Sequence, residues 1–66
     1  NTRHHMNLLA KKTNHELGIQ VKVYENLTTR KFHIVGVDWG EENMVFGIKI
    51  FPTYEQALVE ATRWVQ

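Results

Sequence analysis

The stretch that most constrains this chain is its last, from Phe51 to Gln66. Tyr54, Ala57, Leu58, Ala61, Trp64 and Val65 recur at helical spacing and so share one face, while Glu55, Glu60 and Arg63 fall outside it. Thr53 stands where an N-cap belongs, and Gln56 three residues later completes a capping-box pattern. Pro52 blocks helical propagation backwards. A helix this short is marginal alone in water, so the other residues must supply a surface for its apolar face. The alanines allow close approach to that surface, and Trp64 brings most of the area to bury.

The surface is expected to be a sheet. Ile19 to Tyr24 alternates, with Ile19, Val21 and Val23 on one face and Gln20, Lys22 and Tyr24 on the other. Glu25 to Thr29 reads as a loop, and its Asn26-Leu27-Thr28 sequon as structure only, for want of a signal peptide. Arg30 to Val37 reads as a second strand, apolar on both faces and therefore central, with Gly36 marking a bulge or a close backbone approach. Asp38 to Asn43 is the turn, in which Gly40 and Asn43 can adopt positive φ at low cost. Met44 to Phe51 is the third strand. Met44, Phe46, Ile48 and Ile50 are expected beneath the helix, with Val45, Gly47 and Lys49 on the reverse. Phe51 can belong to either side. Short connections make neighbouring strands antiparallel. The expected fold is α+β: a three-stranded antiparallel sheet packed on a C-terminal helix. A short N-terminal helix over Leu8 to Lys12 is an optional addition.

Residues 1–6 read as a tag remnant, from Arg3-His4-His5-Met6, and residues 7–66 as a single small domain. With 66 residues, 42% hydrophobic and 23% charged, the chain is globular but near the lower limit for standing alone. It has no cysteine, hence no disulfide and no thiolate nucleophile or zinc ligand. Association is then an added source of stability, and a homodimer is a candidate. No apolar run is long enough to cross a membrane, so a cytoplasmic location, or a nuclear one in a eukaryote, is expected.

No catalytic constellation emerges. His33 stands alone in its strand, Glu41-Glu42 adjoin in a turn, and the glycines form no phosphate-cradling loop. His15 and Glu16 lack further metal ligands. The expectation is a non-enzymatic binding module, without metal or cofactor, acting through the sheet face that the helix leaves free. That face is expected to carry Lys22, Tyr24, His33, Val35, Val37, Trp39, Val45 and Lys49. Nucleic acid would use the cations for phosphates and the aromatic residues for stacking. A protein partner would bury the valine and aromatic cluster. The third option is that Leu8 and Leu9 fold over the face and close it.

Phe51, Thr53, Ala57 and Trp64, at the start and end of a helix that follows three strands, carry a family likeness. Residues 19–66 resemble the arm-type DNA-binding domain of tyrosine integrases and the similar plant ethylene-response domain. The resemblance implies a sheet laid in the major groove, with contacts from Lys22, Arg30, Lys31, His33 and Lys49. With an N-terminal helix the order is also similar to a double-stranded-RNA-binding domain. That family's Lys-Lys-x-Ala-Lys helix start is replaced here by Pro52-Thr53-Tyr54-Glu55-Gln56, so its phosphate contacts do not carry over. DNA recognition leads. The alternative is a protein-binding adaptor or inhibitor, in the manner of small phage-type regulators or a degenerate double-stranded-RNA-binding-like domain.

Overall fold

The structure, a computed structural model, describes residues 5–42 and 44–66. Four strands form one antiparallel sheet: β1 (Met6–Asn14), β2 (Ile19–Asn26), β3 (Lys31–Asp38) and β4 (Met44–Phe51). Their spatial order follows the chain, so β1 and β4 are the two edges. A 3-10 turn (Trp39–Glu41) joins β3 to β4, and helix α1 (Tyr54–Trp64) closes the chain over one sheet face.

The α+β class holds, with one strand more than expected. The segment around Leu8, expected as helical turns, is β1, paired along its length with β2. A bulge at Leu9 hid its period: Leu8, Lys11 and Thr13 pair with Tyr24, Lys22 and Gln20 on one face. Ala10, beyond the bulge, packs on the core. The strand also removes the N-terminal helix on which the helix–strands–helix order depended. Nor do Leu8 and Leu9 roof the free face; they remain exposed at the sheet's edge. Within the supposed tag remnant, residues 1–4 lie outside the described residues. Met6 opens β1, and the Leu27 amide donates to the His5 carbonyl at 2.6 Å.

The core is small. Val21, Val23 and Ile34 from the sheet meet Ala57 and Ala61 from α1, all fully buried. Phe32, Phe51, Tyr54, Trp64 and Val65 surround them. The expected helical stripe is therefore the buried one. Thr53 caps the helix, its hydroxyl accepting from the Gln56 amide at 3.3 Å.

Before the bulge at Phe46, Val45 and Phe46 take the faces expected of them; beyond it, β4 presents its faces the other way round. Met44, Ile48 and Ile50, expected beneath the helix, are exposed. Phe51, Lys49 and Gly47 face α1 instead, opposite Phe32, Ile34 and Gly36. The reason is room. Gly36 and Gly47 are direct cross-strand partners and leave a trough in the sheet. The Trp64 ring fills it over Gly47, 3.1 Å from where a Cβ would stand. Phe46 is the extra residue of a bulge opposite Gly36 and Val37, and its ring covers Gly36, where a Cβ would overlap it. The rings of Phe46 and Trp64 lie 5.7 Å apart. A face bearing Ile48 and Ile50 would hold the helix too far from Val21 and Ile34. Of the alternatives read for Gly36, the bulge lies in the facing strand, at Phe46, and what comes close to Gly36 is the Phe46 ring rather than backbone.

Candidate nucleic-acid interface

The helix-free face is a grid of cross-strand rows. Leu8, Tyr24, His33 and Ile50 form the first; Lys11, Lys22, Val35 and Ile48 the second; Thr13, Gln20, Val37 and Val45 the third. No carboxylate occupies any of these positions. The grid divides lengthwise. Its β1–β2 half is basic and polar apart from Leu8, and its β3–β4 half is apolar apart from His33, which lies beside Tyr24. Val45, Ile48 and Ile50 there are 50%, 64% and 55% exposed.

In the basic half, Lys11 and Lys22 stand directly opposite one another. Like charges in that position cost stability rather than add to it. Tyr24 and His33 are direct partners in the row beside them, half-buried at their bases. The Gln20 side-chain amide donates to the Thr13 hydroxyl at 3.2 Å and stiffens the third row. Lys31 follows at the start of β3, exposed and on the same face as His33 by alternation.

Of the residues proposed from the sequence, Lys22, Tyr24, His33, Val35 and Val37 come together on this face, with Lys31 at its end. Three do not join them. Lys49 lies on the opposite face, its ammonium 3.5 Å from Glu60 and 5.7 Å from the centre of the Phe51 ring. Trp39 leaves the sheet in the 3-10 turn, its ring tilted against that of His15 with centroids 5.8 Å apart. Arg30 sits in the β2–β3 turn at φ 61°, its guanidinium 3.4 Å from Glu25. Lys11, Leu8 and Thr13 were missed because the bulge at Leu9 breaks their alternation. Ile48 and Ile50 were missed because β4 is apolar on both faces.

Charge is also distributed along the strands. The β1–β2 and β3–β4 connections lie at one end of the sheet, where the Trp39 amide donates to the Gly18 carbonyl at 2.8 Å. Glu16, Asp38, Glu41 and Glu42 gather there. Asp38 accepts from the Gly40 amide, and Glu42 takes the left-handed conformation at φ 57°. The left-handed position in this turn is therefore Glu42 rather than Gly40, and Asn43 lies outside the described residues. Arg30 and Lys31 are at the other end.

Sequence reading also passed over Glu60. It accepts from the Trp64 indole N–H at 3.0 Å and lies 3.4 Å from Arg63 as well as near Lys49. The indole hydrogen bond, aided by these two cations, holds its carboxyl below the ordinary value of 4.5. This cluster anchors α1 to β4 and belongs to the fold. Among the described residues no three His, Cys, Asp or Glu side chains gather to hold a metal, and no helix is long and apolar enough to cross a membrane. No family profile, characterised protein or solved structure matches the chain.

Proposed function

We propose that this protein is a non-catalytic binding module whose helix-free sheet face takes nucleic acid on its basic half, with single strands preferred to duplex. The observation that carries this reading is the Lys11–Lys22 pair beside Tyr24 and His33, on a face without a carboxylate. An anion between the two ammonium groups turns a repulsive pair into a phosphate clamp. Tyr24 and His33 offer ring faces on which unpaired bases stack.

Width argues for single strands. Four strands spaced about 4.8 Å apart put the outer strand axes about 14 Å apart, before side chains are added. The major groove is only about 12 Å wide, so the full face does not enter it. A single strand lies across the rows instead, kept from the acidic end by Glu16, Glu41 and Glu42 and drawn toward Lys31.

Fluorescence anisotropy with labelled single-stranded and duplex oligonucleotides, over a salt series, tests the reading. Affinity for the single strand is expected to fall with salt, and Lys11→Ala or Lys22→Ala to reduce the log–log slope by about 0.7 each. Tyr24→Ala is expected to cost about 1–3 kcal/mol of binding. Absence of binding at low salt, or binding indifferent to salt and to both lysines, overturns it. A protein partner is the second reading, favoured by the apolar β3–β4 half.

A further inference from the structure

The two open edges of the sheet differ. β1 carries adjacent lysines, Lys11 and Lys12, and polar residues at Asn7, Thr13 and Asn14. Such residues discourage strand pairing. The only charge on β4 is Lys49, and it is turned to Glu60 on the helix side. Beyond the bulge at Phe46, the run from Gly47 to Phe51 is regular. Both flanks of this edge present apolar side chains. On the free face stand Ile48 and Ile50. On the helix side an open groove of about 380 Å³ is lined by Phe51, Glu55, Gln56 and Val59, and Val59 is 61% exposed.

We infer that β4 pairs antiparallel with β4 of a second copy of this chain, forming a continuous eight-stranded sheet. The occupant follows from the slot. A strand added here meets Ile48 and Ile50 on the free face and a groove holding Glu55 and Gln56 beside Phe51 and Val59 on the helix side, so it must be apolar on the free face and can carry a cation on the other. Of the two edge strands β4 has this pattern, with Ile48 and Ile50 on the free face and Lys49 on the helix side; β1 has a polar edge and Lys11 on the free face. The contact is isologous and closes on itself.

Charge and space choose the register. A two-fold axis at Lys49 would set Lys49 against its own copy. An axis at Ile48 sets Ile48 against Ile48 on the free face and Lys49 against Gly47 of the second copy, where the Trp64 ring rather than a second ammonium meets it. The axis is perpendicular to the sheet, so both helices stay on one side, with the two Val59 side chains overlooking the joint. The apolar halves then form the centre of one broad face, flanked by the two basic halves. Main-chain hydrogen bonds supply the affinity and the alternate side chains the specificity.

The test is the mass of the full chain in solution, by light scattering or sedimentation over a wide concentration series, with circular dichroism to verify folding. Twice the chain mass is expected. Val59→Asp lies on the outer surface of α1 and leaves the fold intact; it is expected to yield monomer, as is Ile48→Asp. Val35→Lys, on the free face but one strand in from the edge, is expected to remain dimeric. A native chain that is monomeric throughout overturns the inference. So does a dimer that survives Val59→Asp, or one that Val35→Lys abolishes, since the latter means the free faces stack instead. Should Ile48→Asp fail to fold, Val59→Asp and Val35→Lys decide between these outcomes.

Discussion

At the residue scale, two small residues and one acid organise the contact between helix and sheet. Gly36 is where the ring of Phe46 lies, and a methyl group there must displace it. Gly36→Ala is expected to cost about 1–3 kcal/mol by overpacking. The same change made in a Phe46→Ala background is expected to cost clearly less, because the ring it collides with is gone. A double-mutant cycle by urea denaturation measures that coupling; additivity of the two changes would contradict the trough. Glu60 makes a second prediction. Its carboxyl is depressed in the folded state, chiefly by the Trp64 indole. The stabilisation it provides is therefore full above the ordinary value of 4.5 and is lost as pH falls through the lower folded value. Glu60→Gln is expected to flatten the acid limb of the stability profile while lowering stability at neutral pH. Melting temperatures of both proteins from pH 7 downward check this; parallel profiles would count against it.

At the element scale, α1 depends on its first turn and on the trough beneath it. The Thr53 hydroxyl satisfies the Gln56 amide, one of the donors left unpaired where a helix begins. Thr53→Ala is expected to cost about 1 kcal/mol, read from the denaturation midpoint at unchanged slope. Helix and cap could be read from the sequence because both depend on local spacing. The two outer strands could not be read so well. Each carries a bulge, at Leu9 in β1 and at Phe46 in β4, and an inserted residue moves every side chain beyond it to the other face. In β4 the ambiguity was compounded, because Phe46 and Phe51 on one side rival Ile48 and Ile50 on the other. Hydrophobic alternation has no preference when both faces are apolar.

At the scale of the whole molecule, the first strand and the last residues of the chain are tied directly. The Asn14 side-chain amide donates to the Val65 carbonyl at 2.6 Å, while its oxygen accepts from the Leu17 amide at 3.0 Å. The bond spans 51 residues and fastens the otherwise exposed edge strand to the end of the helix. Asn14→Ala is expected to cost about 1 kcal/mol and to speed amide exchange in β1 ahead of β2 and β3. Uniform exchange across all four strands would show that β1 has no such dependence. Of the candidate interface, the Lys22, Tyr24 and His33 cluster was readable, because β2 and β3 alternate without interruption. The addition of Lys11 and the loss of Lys49 and Trp39 were not.

Local order alone, then, accounts for the amphipathic helix, its cap and the β2–β3 pair. Each depends on residues a few positions apart, where period and chemistry are plain. Which face of β4 the helix covers, and that residues 6–14 extend the sheet instead of roofing it, depended on contacts between distant segments. The fit of Trp64 over Gly47 and the pairing of β1 with β2 set them, and no local pattern contains those distances. The free face takes its division into a basic and an apolar half from those same long-range contacts.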